Sequence, residues 1–387
     1  MVVAYYTSTN FLDVILETIQ SIKGKVELHV FIEITNQSKN ATLINVDSLE
    51  GLNLIEKPEK VLGKEAWAAF RPYFEGVASV HFVVHKNKRS LSLKTLRNAY
   101  AIGRQLKKYK IDIFHFDTIS PRAIGLYSYL KSKKVIIALH DPVPHSGEDN
   151  WREDVPNFVF YRMAKAFIFY SGFAASQFKQ FYSQIKVPSY AIKLQPYTFI
   201  RKYLDVKKPE GNTILFFGRL SYYKGIDILL QAIPLVLEKY PNEKFMIAGK
   251  PAFGYEVDQA IVNRYQNNIE VISRYLSTQE LVTLIEHAKF IVCPYRDATQ
   301  SGVLMTSFAA GKMVVATDVG SFPEYIKDDV NGLLGTPDAV SVAQNIIRAL
   351  DGERYKQLEA NVTSGYSKET GDENALRIME AYQNAAK

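Results

Sequence analysis

The sequence predicts an α/β protein built from two doubly wound, Rossmann-like domains. Three observations predict it. Short apolar runs alternate with amphipathic stretches throughout the 387 residues, the pattern of parallel strands covered on both faces by helices. A polar connector with Pro and Gly, from Gln195-Pro196-Tyr197 to Pro209-Glu210-Gly211-Asn212, separates two such series. In the second series, two strands run through a glycine-bearing loop into a helix, at Phe216–Gly225 and Phe290–Ala310.

In chain order, the first half predicts strands at Val2–Thr7, Leu28–Ile34, Val80–Val84, Ile113–Phe116, Val135–Leu139 and Ala166–Tyr170. Its predicted helices are Phe11–Ile22, Leu91–Tyr109, Pro121–Leu130 and Gly172–Tyr182. The second half predicts strands at Thr213–Phe217, Lys244–Ala248, Ile269–Ile272, Phe290–Cys293 and Met313–Thr317. Its helices are Ile226–Lys239, Thr278–His287, Val303–Ala310, Glu324–Lys327 and Ala339–Leu350, with a last helix at Asp372–Ala386. The expected domains are residues 1–197 and 213–365, with a hinge at 198–212 and a closing helix, 366–387, that returns toward the first domain. Doubly wound domains carry their loops at the strand C-termini, so both are expected to face a central cleft.

A single cysteine, Cys293, rules out an intrachain disulfide and predicts a cytoplasmic setting. No run of 18 uncharged apolar residues suggests a membrane-crossing helix. The N-terminus, Met1 to Tyr6, lacks a basic leader and reads as a first strand. The net charge of +7 is uneven. Residues 1–197 carry 26 Lys and Arg against 17 Asp and Glu, and the remainder carries 21 against 23. Basic positions cluster at Lys86, Lys88 and Arg89, at Arg104, Lys107, Lys108 and Lys110, and at Lys131, Lys133 and Lys134. They read either as solvated helix ends or as a face for an anionic membrane surface or a phosphate-bearing acceptor. No nucleic-acid-binding module accompanies them.

The two glycine loops suggest a diphosphate site. The first turn of a helix offers free N–H groups and a positive dipole end, and Gly302 lets a phosphate approach the backbone through Gln300, Ser301, Gly302 and Val303. Ser301 serves equally as a plain N-cap. Gly218 opens the other loop, where Arg219 and Lys224 stand five residues apart at a helix entry, a place that disfavours cations unless they serve a ligand. No Asp-x-Asp pair, GxGxxG or Walker loop occurs, which argues against a metal-dependent transferase, a dinucleotide oxidoreductase and an NTPase. His81 and His85 lie on a strand, roughly 13 Å apart, too far to share an ion. Trp67, Phe70, Tyr73 and Phe74, with Lys64 and Arg71 among them, read as a packed helix or as a lipid-facing patch.

The matching text is Phe217-Gly218-Arg219-Leu220, Lys224-Gly225, Ile247-Ala248-Gly249, Pro294, Ser301-Gly302-Val303-Leu304, Ala309-Ala310-Gly311-Lys312, Val314-Val315-Ala316-Thr317, Gly320, Glu324-Tyr325-Ile326 and Asn331-Gly332-Leu333-Leu334. In these segments the second half resembles the retaining glycosyltransferases of family 4, which have the GT-B fold. The resemblance covers about residues 213–350; in the first half it rests on Leu139-His140-Asp141-Pro142 and His145-Ser146-Gly147. It implies transfer of a sugar from a UDP- or GDP-linked donor to a glycan, glycolipid or other acceptor, without a metal or further cofactor. It places His140 beside the donor sugar with Arg219 and Lys224 as catalytic partners, and Glu324 on the nucleotide side. Two family glutamates are replaced here by Thr299 and Ser307, which hydrogen-bond but carry no charge. Arg274 and Tyr275, after a strand, would frame the base or form a surface loop. Ser8, Thr9, Asn10 and His145 are expected on the acceptor side, although the Thr7–Asn10 loop lacks the family's paired glycines. The alternative for His140 is a histidine satisfied by Asp141 or by backbone. A GT-B sugar-nucleotide epimerase and an inactive nucleotide-sugar-binding protein are the alternative readings.

Overall fold

The computed structural model describes residues 1–41, 43–143, 157, 159–205, 210–364 and 368–387. His145, expected on the acceptor side, lies outside the described residues. The chain divides into two compact units. The first holds Met1–Val143, Asn150–Lys193 and Lys368–Lys387, and the second holds Leu194–Ser367.

The first unit is built on one sheet. Its strands are β1 (Val2–Ser8), β2 (Glu27–Thr35), β5 (Ile55–Glu56), β6 (Ser79–His85), β7 (Ile113–Phe116), β8 (Lys134–Leu139), β9 (Ala164–Phe169) and β10 (Ser189–Ala191), in the order β10-β9-β8-β7-β1-β2-β6-β5. All pairings are parallel except β5 with β6. A separate two-stranded ribbon joins β3 (Asn40–Ala41) to β4 (Ile44–Asn45). The central strands are apolar on both faces, as a doubly covered parallel sheet requires: every residue of β7 is buried, and so are Val135–Leu139 of β8. Phe114, Phe116, Phe160, Phe167, Phe169 and Phe178 form much of the core on one face.

The last helix, Lys368–Ala386, packs on the helix Leu12–Ile22 and on β8 and β9. Its Tyr382 hydroxyl lies 2.7 Å from His115 Nδ1, and Asn374 bonds both the N–H and C=O of Lys193, at 2.9 and 2.7 Å. These contacts satisfy polar groups that the core would otherwise leave unpaired.

The second unit has six parallel strands: β11 (Thr213–Phe217), β12 (Phe245–Ala248), β13 (Ile269–Ile272), β14 (Ala288–Cys293), β15 (Val314–Thr317) and β16 (Gly332–Gly335), in the order β13-β12-β11-β14-β15-β16. The helices Ile226–Lys239 and Ala339–Leu350 pack against each other. Thr198–Tyr203 forms a 3-10 helix that packs on this unit, where Arg201 Nε donates to the Ala309 carbonyl at 3.1 Å. The described part of the expected 198–212 hinge therefore belongs to the second unit, and the division falls between Lys193 and Leu194.

Among the described residues, three α-helices absent from the expectation are Pro58–Leu62, Gln259–Arg264 and Arg354–Ser364, while the helix Lys64–Phe74 carries the aromatic group. In Lys64–Phe74, Trp67, Phe70 and Phe74 are buried, with Trp67 and Phe74 stacked at 5.3 Å. The packed-helix reading of that aromatic group holds for these three. No helix among the described residues is long and apolar enough to cross a membrane.

Candidate functional site

In the second unit, two loops converge at neighbouring strand ends. β11 and β14 are paired, and each ends in a loop leading to a helix. Gly218 has a φ of +120°, open to glycine but strained for a side chain. A Cβ there would meet Val303 Cγ2 at 3.0 Å, with Lys224 Nζ 3.9 Å away. The first loop thus lies directly against the N-terminal turn of the helix Gly302–Ala309. Gly225 has a φ of +65°, and a Cβ would stand 1.9 Å from the Pro294 carbonyl oxygen, so only glycine lets the two loops touch there.

Lys224 is buried, and its ammonium donates to the Tyr295 hydroxyl at 2.7 Å while lying 4.2 Å from that ring's centroid. Arg219 is exposed, its guanidinium 5.9 Å from the Tyr223 ring centroid. Arg296 staples the loops. It grips Asp227 with two hydrogen bonds of 2.8 and 2.6 Å, donates to the Tyr222 carbonyl at 2.9 Å, and lies 4.2 Å over the Tyr222 ring. Burial would raise the Asp227 carboxyl, but the bonds and charge of Arg296 hold it below its ordinary range.

The helix entry differs in part from the sequence expectation. Ser301 caps the helix, accepting from the Leu304 N–H at 3.2 Å. Gln300 and Gly302 are half-buried, Thr299 and Val303 buried. A Cβ on Gly302 would meet the Tyr197 ring at 3.3 Å, so an aromatic ring, not open space, borders its α-carbon. Ser307, expected at the donor site, points into its own helix. It is fully buried and its hydroxyl donates to the Val303 carbonyl, one turn back, at 2.8 Å. Its one donor hydrogen is used inside the helix. Arg274 is committed to Glu280, which also closes the capping box of the helix Thr278–Glu286, at 2.8 Å; Tyr275 is exposed beside it. Glu324 is exposed in the short helix Phe322–Tyr325. Sequence reading missed Ser221 and Ser321. Both hydroxyls are buried without a hydrogen-bond partner among the described residues, and each follows one of the glycine-bearing turns.

The first unit gathers a second group of polar residues at the C-terminal ends of β1, β7, β8 and β9. His140, directly after β8, is buried between the Phe11 and Tyr170 rings, with centroids at 4.2 and 4.5 Å and interplanar angles of 20° and 17°. Its Nε2 lies 3.2 Å from Asp117 Oδ2. Asp117, directly after β7, is fully buried and also accepts from the Tyr5 hydroxyl at 2.8 Å, the Thr7 hydroxyl at 3.0 Å and the Tyr170 hydroxyl. Burial alone would raise its carboxyl; the His140 charge and the bonds from His140, Tyr170 and Tyr5 outweigh this and hold it below its ordinary value. Asp13, half-buried in the first turn of Leu12–Ile22, is pushed up to about 6, mainly by burial, with the Val14 N–H and the His140 charge opposing. The sequence signal for Asp117 was present: a carboxylate directly after an apolar strand, in the position His140 holds on the next one.

Of the residues expected on the acceptor side, Thr9 faces inward. It is buried and its hydroxyl donates to the Ser38 carbonyl at 2.8 Å. Ser8 is half-buried and accepts from the Asn10 N–H at 3.3 Å, and Asn10 is exposed. Among the described residues, no group of three His, Cys, Asp or Glu is placed to hold a metal. His81 and His85 lie on β6, the first against the Tyr109 hydroxyl at 2.9 Å and the second 3.6 Å from Glu33.

Residues 211–352 match the family described as Glycosyl transferases group 1, so the second unit carries a group 1 glycosyltransferase domain. An uncharacterized glycosyltransferase of Methanocaldococcus jannaschii is 29% identical over 188 residues, 48% of this chain and 48% of that protein. The GDP-mannose:cellobiosyl-diphosphopolyprenol alpha-mannosyltransferase of Xanthomonas campestris is 26% identical over 159 residues, 41% of this chain and 42% of that one. The chain thus spans about half the length of these curated relatives. Among solved structures, Anabaena HepE in complex with UDP-glucose superposes with a TM-score of 0.66 at 14% identity, covering 98% of this chain and 100% of the other. A glycosyltransferase from Rickettsia africae gives 0.62 at 16%, covering 100% and 99%. The fold is GT-B, with two Rossmann-like units.

Proposed function

We propose that the chain is a glycosyltransferase that moves a sugar from a nucleotide-diphosphate donor to a glycan, glycolipid or other acceptor with retention of configuration. The observation that carries this reading is the convergence of Gly218, Lys224 and the N-terminus of Gly302–Ala309. A buried ammonium beside a helix N-terminus suits a diphosphate. The named relatives include an enzyme that uses GDP-mannose and a structure holding UDP-glucose, so a UDP- or GDP-linked donor is the first choice.

In the proposed reaction the bond between the sugar anomeric carbon and the donor phosphate breaks, and its electron pair stays on the phosphate. Lys224, Arg219 and the helix N–H groups stabilise the charge that develops there. The acceptor oxygen bonds to the anomeric carbon on the face the phosphate leaves, and its proton passes to the departing phosphate. No carboxylate stands at the matched loop positions Thr299 and Ser307, which favours this route over a covalent glycosyl-enzyme. Asp117 holds His140 by its Nε2, so that the imidazole presents a fixed edge to a sugar hydroxyl.

A melting screen against UDP- and GDP-linked sugars identifies the donor, because a ligand bound only by the native state raises Tm. Transfer to acceptor follows with that donor, and the anomeric configuration of the product is read by NMR. Inversion overturns the retaining mechanism. Donor turnover with a changed sugar and no acceptor requirement gives the epimerase instead.

A further inference from the structure

The helix Leu93–Leu106 carries an outward face that sugar transfer does not explain. Its inner face, Thr95, Ala99, Ile102, Gly103 and Leu106, is buried. The packing is close: a Cβ on Gly125 would come within 2.7 Å of Ala99 Cβ, and one on Gly103 within 3.1 Å of Tyr129 Cβ. This fixes which side points out. Leu93 and Tyr100, seven residues apart, share the outward side and are 75% and 58% exposed, and Leu96 lies at its margin, 38% exposed with its backbone against Gly125. Leu91, in the preceding turn, is 49% exposed.

Cations surround these side chains. Arg97 and Arg104 lie on the same side by helical spacing, and Lys107 and Lys108 follow in the next turn, all exposed. From Gly76 to Ile111 the chain has nine Lys and Arg and no Asp or Glu. A face of exposed leucines ringed by cations, with no carboxylate, is the signature of a helix lying in the interface of an anionic bilayer. A nucleic acid would use the cations but gain little from the leucines. Topology adds a reason for the placement. The helix follows β6, so its first turn lies at the same sheet edge as Asp117 and His140. Arg122, five residues after Asp117, ties that edge to the basic loop by donating to the Arg89 and Lys88 carbonyls at 3.2 and 3.3 Å.

We infer that Leu93, Leu96 and Tyr100, with Arg97, Arg104 and Lys107, form a docking face for an anionic lipid surface. The leucines enter the headgroup boundary and the cations meet lipid phosphates. This edge of the first unit then sits where a lipid-borne acceptor would be presented. That last step rests on the proposed transfer reaction; docking itself needs neither donor nor turnover.

Co-sedimentation of the full chain with vesicles tests it, using phosphatidylglycerol in phosphatidylcholine against phosphatidylcholine alone. Wild type is expected to pellet with the anionic vesicles at low salt and to be partly released at high salt. The Arg97→Glu/Arg104→Glu pair should need about thirty-fold more anionic lipid, and Leu93→Gln/Leu96→Gln about ten-fold more. Lys327→Glu, on the exposed surface of the second unit, should change this by less than about two-fold. Melting curves check folding, and Tyr100→Gln replaces the leucine pair if that variant does not fold. The inference is overturned if wild type ignores anionic vesicles, or if both pairs partition as wild type does. It is equally overturned if polyuridylate binds, the arginine pair abolishes that binding and the leucine pair has no effect, because the face is then one for nucleic acid. Loss of docking with transfer to a soluble acceptor intact separates this result from failure of the catalytic reading.

Discussion

Asp117 Oδ2 stands 3.2 Å from His140 Nε2, and the two residues follow adjacent, paired strands of the first unit. Three hydroxyls, from Tyr5, Thr7 and Tyr170, complete the carboxylate's bonds. A buried charge with this many donors is satisfied only as the carboxylate. Asp117→Asn keeps the shape but removes the charge and turns part of the site from acceptor to donor. It is expected to lower stability by about 3 kcal/mol at neutral pH. Because the folded carboxyl lies below its ordinary value of 3.8, the contribution is present above that pH and fades as pH falls through the folded value. Denaturant melts should show the two proteins converging under strongly acidic conditions. A constant gap across pH would count against a charge-based role. If His140 orients the donor sugar, kcat should fall in the same variant.

Asp13 should behave in the opposite way. Burial pushes its folded carboxyl up to about 6, above the ordinary 3.8. The folded state therefore prefers the acid, and stability is lost as pH rises between those values. Asp13→Asn is expected to be more stable than wild type at about pH 8 and to lose that advantage near pH 4. Equal melting temperatures at both pH values would show that the carboxyl is not held in this environment.

Much of the fold was legible because its strands are short, apolar and bounded by polar turns. Ile113–Phe116, Thr213–Phe217 and Ile269–Ile272 agree with the sequence reading to the residue. Edge elements were harder. The strand Gly332–Gly335 contains only two apolar residues between glycines, and Ser189–Ala191 is half-polar, so neither shows a period. The helix Arg354–Ser364 did carry a signal, Tyr355, Leu358 and Val362 at helical spacing, within an otherwise polar run. In the site, sequence placed the glycine loops but not how each side chain is spent. Nothing in the residue type says that Thr9 donates to the Ser38 carbonyl or that Ser307 turns back on its own helix. Asp117 carried a signal, a carboxylate directly after an apolar strand, but its partners came into view only when the ends of β1, β7, β8 and β9 met.

The second-unit site predicts a charge requirement. Arg219→Ala and Lys224→Ala should each raise the transition-state barrier by roughly 2–4 kcal/mol, the scale for losing one preorganised electrostatic donor. Lys224→Ala also removes one hydrogen bond from the Tyr295 hydroxyl, so melting must be followed alongside kcat/KM. Wild-type turnover in both folded variants would remove the assignment. Activity should also survive EDTA, because in the proposed site these cations and the helix N–H groups do the neutralising. Loss on chelation with recovery on Mg²⁺ or Mn²⁺ would require a different site.

The loop staple should report through donor affinity. Arg296 holds Asp227 and the Tyr222 carbonyl, but the pair is partly exposed, with side chains 24% and 40% accessible. Solvent screening limits its worth to about 1 kcal/mol of stability. Its larger effect is expected on geometry, since it fixes the Tyr222–Gly225 turn that carries Lys224. Arg296→Ala should therefore raise the donor KM more than it lowers Tm, and a double-mutant cycle with Asp227→Ala should show strong coupling. Additive effects of the two substitutions would mean that the loop is held by its apolar packing instead.

Ser307 and Thr299 give the sharpest contrast between sequence and structure. Both stand where the resembled family has glutamates, yet Ser307 is fully buried with its hydroxyl donating to the Val303 carbonyl, whereas Thr299 lies in the loop just before the helix. Ser307→Ala removes one back-bond but gains helix propensity, so the net stability change should stay within about 1 kcal/mol. Because the hydroxyl proton points into the helix, the donor KM should not move. Thr299→Ala should raise it, since the loop Thr299–Gly302 is where the proposed phosphate or sugar contact lies. Isothermal titration of the identified donor against both variants decides the matter. A weakened Ser307→Ala with an unchanged Thr299→Ala would reverse the assignment and require the helix to open when the nucleotide binds.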